Sequence, residues 1–199
     1  MNVFNCMHYL RFAFLFFCGL GILYPLFVTA LGSLFFPSQV RGSLVYNGSS
    51  IVGSSLIGQD FKGPEYFHGR NHRAKDVFES GSLPSASTAP LFSSQVKDRI
   101  ISAYQYHNYN QIAPLPVSLV TSSASNLDPH IPRSAAIWQI SRISKYRNLP
   151  MEKIERLIYA SPSTRQLGFL GNDAVNVLLL NIELDKLAEM EQQQNAANH

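Results

Sequence analysis

Between Arg11 and Arg41 the chain carries no charged side chain. The apolar centre of that gap, Phe12–Phe36, holds 25 residues, about 37 Å of helix at ~1.5 Å per residue. A bilayer core requires ~20 such residues. A lone segment in lipid must satisfy its own backbone, so a helix is the one spanning form open to it. Gly19, Gly21 and Pro25 are poor choices for a helix in water but are tolerated in a membrane, and Pro25 predicts a kink near mid-span. Val28-Thr29-Ala30 has the small-x-small spacing of a cleavage site. Yet the apolar run continues through Leu31, Leu34, Phe35 and Phe36, past the ~7–15 residues of a cleaved leader. The expectation is a retained anchor. Cys18 follows Phe16-Phe17 rather than the small residues of a lipidation motif, and reads as an apolar filler.

Charge begins where the anchor ends. All 13 acidic residues and 15 of the 16 basic ones lie from Arg41 onward, and the formal net charge is +3. Low net charge with 12% aromatics excludes disorder as the dominant state. Cys6 and Cys18 both precede the charged body, which excludes a disulfide scaffold. Basic residues near the two ends of the anchor are almost balanced (Arg11 against Arg41), so charge counting does not orient it. A short leading segment before a large translocated domain favours an inside N-terminus.

Within the body, Ser43–Val52 predicts a hairpin turning on Asn47-Gly48 in a type I′ turn. A small-residue loop, Gly53–Gln59, follows, and residues 60–90 show no sustained period. Four helices are expected: Pro90–Tyr106, with Val96, Ile100 and Tyr104 on one face; Ser134–Arg147, opened by Pro132; Pro150–Ala160; and Asp173–Gln192, capped by Asn172 or Asp173. Leu115–Ser122, bounded by prolines, reads as an edge strand. The fold class is therefore α+β: one N-terminal transmembrane helix and a single mixed helix/strand domain. The expected division is residues 1–11 as a short leading segment, 12–36 as the span, 37–192 as the domain and 193–199 as a disordered tail.

Motifs for independent catalysis are missing from the sequence. It has no P-loop, no GxGxxG and no phosphorylation motif of the P-type pump class, and no nucleophile–base order declares itself. His68 and His72 stand four apart but lack a third ligand, so a structural role is favoured over metal binding. The densest polar stretch is Thr121–Ile131. Ser123, Ser125, Asn126 and Asp128 there are candidates for presenting hydrogen-bonding groups to an anion or to a partner; the plainer reading is an Asx/Ser turn capping the helix that follows. Arg133–Arg165 carries seven basic and two acidic residues. That excess suits an acidic partner or lipid headgroups, or else a solvated helix pair with a Glu152–Arg156 contact.

Several of these segments together resemble a known family. Gly53-Ser-Ser-Leu-Ile-Gly-Gln59, Tyr66-Phe67 with Arg70, Val120–Ile131, and Gly168-Phe-Leu-Gly171 leading to Val175-Asn-Val-Leu and Leu180-Asn181 are similar to the C subunit of the bacterial Kdp potassium-transporting P-type ATPase (KdpC). Tyr24-Pro25-Leu26 in the anchor fits as well. The resemblance runs from the anchor to about Asp185. It implies an accessory subunit, without catalytic residues of its own, in a high-affinity ATP-driven potassium uptake pump. The implied partners are a channel-like potassium-translocating subunit and an ATP-hydrolysing P-type subunit, with membrane lipid around the anchor and no nucleic acid. The implied placement is a single pass through the inner membrane, N-terminus cytoplasmic and domain extracytoplasmic. The family's described role is that of a catalytic chaperone raising the ATP affinity of the hydrolysing subunit; ATP is thus a ligand of the complex. Leu56, Ile57, Gln59, Arg70, Asp128, His130, Gln139 and Arg142 are the candidate partner contacts, and Gln139 is also a candidate for cofactor binding. The sequence departs from the family's pattern at Asn71-His72, Ala124, Asn126 and Pro132-Arg133. The competing reading is an anchored extracytoplasmic binding module or hydrolase unrelated to transport.

Overall fold

The computed structural model describes residues 3–70, 94–107, 114–121, 123, 125, 127–162, 164–165 and 167–197. The chain divides into two compact units, Met1–Leu44 and Val45–His199.

The first unit is helical. Helix α1 (Val3–Phe16) passes into a π-helical stretch, Phe17–Leu23, then α2 (Tyr24–Phe35) and a short α3 (Pro37–Val40). Met7–Phe35 is long and apolar enough to cross a membrane, and none of it is buried within the protein. Such all-round exposure of apolar side chains suits lipid and not water. The disturbance expected at Pro25 is found one turn earlier. Pro25 lies in the first turn of α2 and has no N–H to donate; just before it, Tyr24 N–H reaches back to Gly19 O in the wider π pattern. Thr29 Oγ1 then donates to Pro25 O at 2.8 Å.

In the second unit, β1 (Leu44–Asn47, its first residue at the unit boundary) and β2 (Ser50–Ser54) form the expected hairpin. Its loop is Gly48-Ser49, not Asn47-Gly48. Only Gly48 has positive φ (60°), which is the signature of a II′ turn and not I′. Helix α4 covers Ser94–His107; the expected start at Pro90 and the loop residues 71–90 lie outside the described residues. The stretch read as an edge strand is instead a 3₁₀ turn, Val117–Leu119. Pro116 sets φ at −60°, and the carbonyls of Pro116 and Val117 accept Leu119, Val120 and Thr121 N–H, so the segment curls before it can extend.

The core is built around a second, three-residue ladder that the hydrophobic pattern did not reveal. Strand β3 (His130–Pro132) runs antiparallel to β4 (Ala174–Asn176), with Ile131 opposite Val175, both fully buried. Helices α5 (Arg133–Trp138), α6 (Ile140–Arg147), α7 (Met151–Ala160) and α8 (Val177–Ala197) complete the unit. The expected single helix Ser134–Arg147 is broken at Gln139, where φ and ψ are −87° and −9°. Asn148 ends α6 in the left-handed region (φ 52°), a common helix stop. Helix α7 follows Pro150 as expected, with Ile154 and Ile158 facing inward. Helix α8 is capped by neither Asn172 nor Asp173, because β4 intervenes; Asn176 Oδ1 accepts Leu179 N–H at 3.2 Å and serves as the cap. The helix continues to Ala197, through most of the stretch read as a tail, since Glu, Gln, Met and Ala are good helix formers. One apolar cluster joins Phe67, Ile131, Trp138, Ile143, Ile154, Ile158, Val175, Leu180 and Leu184.

The basic excess of Arg133–Arg165 is largely absorbed inside the unit. Arg133 pairs with Asp173, Arg147 with Asp185 and Lys153 with Glu191, and Arg142 is buried.

Candidate functional site

The segment Gly63–Arg70 has no regular secondary structure, so its backbone polar groups need partners from elsewhere. Four side chains supply them. Asn181, on α8, accepts Phe67 N–H at 2.8 Å and donates to Phe67 O at 2.9 Å. Gln139 does the same for the next residue, accepting His68 N–H at 2.8 Å and donating to His68 O at 3.0 Å. Arg142 donates to Pro64 O, to Tyr66 O and to Gln139 Oε1, the last two at 2.8 Å. Arg147 donates to Glu65 O at 2.8 Å. The carbonyls of residues 64–68 are thus all held, and two amides act as the missing neighbouring strand. Gln139 is fully buried and Arg142 is 3% exposed. Both act on this strap, and neither presents a surface to a partner.

The strap also fixes a histidine. His68 Nε2 lies 2.9 Å from Gly63 O and so carries its proton there; the ring packs 5.0 Å from that of Tyr106. Burial, and then the Arg142 guanidinium, lower its pKa to about 4, against the opposing pull of Gly63 O, Asp60 and Glu65. Burial lowers Arg142 itself to about 10, so it keeps its charge at neutral pH. Burial raises Tyr106 above its ordinary value.

Where the strap ends, a cavity of about 320 Å³ opens. Arg70, Ser118, Thr121, Asp128, His130 and Asn172 contribute its polar lining. Arg70 reaches Asp128 Oδ2 and Thr121 Oγ1, each at 3.4 Å. Asp128 Oδ1 accepts His130 N–H at 3.0 Å and lies 3.4 Å from His130 Nδ1. Among the described residues, Ser118 Oγ and Ser123 Oγ are buried without a hydrogen-bond partner. A cation, a carboxylate, an imidazole and hydroxyls around one half-open cavity can exchange hydrogen bonds with a polar group brought from outside. Among the described residues, no nucleophile–base pair is arranged there for covalent chemistry.

The sequence-derived candidates separate into three places. Arg70, Asp128 and His130 meet in the cavity. Leu56, Ile57 and Gln59 sit beside the same loop, since Gly58 N–H donates to Leu127 O at 2.8 Å and Asn176 Nδ2 holds Ser55 O at 2.8 Å. Leu56 and Ile57 are exposed, and Gln59 Nε2 folds back on Ile57 O. Gln139 and Arg142 lie beneath the strap. Ser123 is buried, and Ser125 Oγ accepts Leu127 N–H at 3.2 Å. Asn126, like His72, lies outside the described residues. The Asx and Ser turns expected in this loop exist, but β3 separates them from α5, so they shape the cavity wall and do not cap a helix. Sequence reasoning missed Ser118, Asn172, Arg147 and the structural use of Asn181. For Asn181 a signal existed: a lone amide within the apolar run Val177–Ile182.

Comparison with known proteins places this geometry. The model of the family described as "KdpC: K+-transporting ATPase, c chain" matches residues 6–186. Relatives described as the potassium-transporting ATPase KdpC subunit include one from Rhodospirillum rubrum, 41% identical over 169 residues, covering 83% of this chain and 87% of its own. One from Methylococcus capsulatus is 42% identical, covering 84% and 90%, and one from Ralstonia nicotianae is 40% identical over 186 residues, covering 89% and 91%. The matched span takes in the apolar helix, the strap, the cavity and the first half of α8, and the chain belongs to the KdpC family, subunits of the potassium-transporting Kdp ATPase.

Proposed function

We propose that this chain assembles and stabilises the pump from the extracytoplasmic face of the bacterial inner membrane, with its N-terminus in the cytoplasm and Met7–Phe35 as its one span. The observation that carries this reading is the pairing of a lipid-suited helix with a body whose polar chemistry is arranged for holding and not for turnover. Its direct partners in this reading are the channel-like potassium-translocating subunit and, through the assembled complex, the ATP-hydrolysing subunit. The contact face comprises Leu56, Ile57 and Gln59 with Arg70, Asp128 and His130, while Gln139 and Arg142 support it by holding the strap.

The role of catalytic chaperone follows as an indirect effect. A body outside the membrane stands a full bilayer from cytoplasmic ATP, so it raises ATP affinity by favouring the pump conformation that binds ATP well. Ser123, Ser125, Asn126, Asp128 and Gln139 then have no nucleotide to bind. Such coupling is limited by the chain's differential affinity for the pump's states, typically 1–3 kcal/mol, or about 5- to 150-fold in ATP affinity. Pump purified with and without this chain tests the proposal: half-saturation of hydrolysis at lower ATP with the chain present is expected. Equal half-saturation in both preparations would remove the chaperone role.

A further inference from the structure

The β1–β2 hairpin leaves large apolar side chains exposed: Tyr46 and Ile51 at 56% and 59%, Val52 at 40% and Leu44 at 38%. Its two-residue loop, Gly48-Ser49, sets Tyr46 opposite Ile51, so the two widen one apolar face. Residues 42–59 hold no charged side chain. A two-stranded sheet facing water is usually guarded by charge, and by itself it is marginally stable. The root of the hairpin locates what covers it. Helix α3 starts directly after Phe36, where the apolar run ends. Beyond α3 the backbone folds back on it. Gly42 N–H donates to Gln39 O at 3.0 Å and Ser43 N–H to Ser38 O at 2.9 Å, with φ of 85° at Gly42 and 49° at Ser43. Leu44 therefore departs from within about one helical turn of Ser38, at the end of the helix able to cross a membrane, Met7–Phe35. A four-residue strand adds only about 14 Å at ~3.4 Å per residue. The hairpin is thus tethered beside the polar layer of the bilayer, and its uncharged apolar face gives it reason to lie there.

We propose that the β1–β2 hairpin is a second membrane contact, lying in the interfacial layer of the bilayer at the end of the span with Tyr46 and Ile51 turned to the acyl chains. Its occupant is lipid and not another subunit. The Tyr46 ring suits the acyl boundary and its hydroxyl the headgroups. Backbone groups on the outer edges of the two strands find water in that layer, which the hydrocarbon core would deny them. The proposal rests on Met7–Phe35 spanning the membrane, not on the chaperone role or on which side the body stands.

The test uses the assembled pump in vesicles of phosphatidylethanolamine and phosphatidylglycerol, with a fluorescent amino acid incorporated into this chain at one position at a time. Lipid carrying a nitroxide near the top of its acyl chain should quench the label at position 51 at least about threefold more than at the exposed position 152, as for a side chain seated at the headgroup–acyl boundary. Equal quenching at the two positions would overturn the proposal. So would a label at position 51 that is shielded from aqueous iodide yet untouched by the lipid nitroxide, which is the result for a hairpin covered by another subunit. A label at position 28, inside the span, reports on the premise: it should be quenched by the same lipid, and its escape would sink the span itself and not the hairpin alone.

Discussion

Two polar regions of the second unit lie within a few residues of each other along the chain and behave differently. Under the strap, Gln139, Arg142, Arg147 and Asn181 hold all five carbonyls of residues 64–68, packed against the fully buried Phe67, with Arg142 Nε left buried and unpartnered among the described residues. Three residues further on, Arg70, Asp128 and His130 line a cavity, with Arg70 Nη1 and His130 Nδ1 each 3.4 Å from an Asp128 carboxylate oxygen. The first arrangement is buried away from the surface; its energy goes into holding an irregular segment in one shape. The second is loosely made and reachable, as a surface that tightens on contact must be. Polar residues that resemble one another in sequence thus differ in burial, which suits the proposed division into scaffold and contact.

The sharpest way to break this contrast is at Asn181. Asn181→Leu leaves both Phe67 N–H and Phe67 O buried and unpaired, at ~1–3 kcal/mol each. A loss of about 4 kcal/mol is expected, about 10 °C in melting temperature for a domain of this size. A shift under ~1 kcal/mol would show that the strap is not held as described. The second prediction is the pH dependence of stability. Folded His68 has its pKa lowered to about 4 against ~6.5 unfolded, so the unfolded chain takes up the proton first as pH falls. Its contribution is complete above pH 6.5 and is lost as pH drops towards 4, by at most roughly 3 kcal/mol. Urea titrations of the wild type and His68→Gln across this window should converge in slope above pH 6.5 and separate below it. Parallel curves throughout would mean that His68 is not buried neutral. The smallest effect on folding is expected at the cavity: Asp128→Ala removes a half-exposed ion pair worth ~0–1 kcal/mol, yet it should weaken assembly with the other pump subunits by more than tenfold. A large fall in melting temperature with assembly intact would reassign the cavity to scaffold.

What the sequence disclosed follows from range. Elements set by local chemistry were legible: the uncharged run of the anchor, the hairpin, and α7 with Ile154 and Ile158 on one face. The turn residue was misplaced by one, because Asn47-Gly48 and Gly48-Ser49 both satisfy a two-residue loop and only the sign of φ at Asn47 separates them. The β3–β4 ladder was hidden because three residues containing a proline are too short to show a period. The strap's clamps were hidden for another reason. Gln139 and Asn181 meet their backbone partners 71 and 114 residues away in sequence, and no spacing rule reaches that far. Asp128 was named from the dense polar loop and Arg70 from the family resemblance, whereas Ser118 and Asn172, with no such guide to the site, became visible only once the cavity closed around them.

The proposed placement puts the body outside the membrane, where it would reach its pump but not cytoplasmic ATP. In a chain with Cys6 and Cys18 replaced by Ala, a single cysteine at the exposed position 152 can be probed with a membrane-impermeant maleimide in intact spheroplasts expressing the whole pump. Labelling without lysis, at the level reached after lysis, is the predicted result. Labelling that appears only once the membrane is broken would place the body in the cytoplasm and contradict the account.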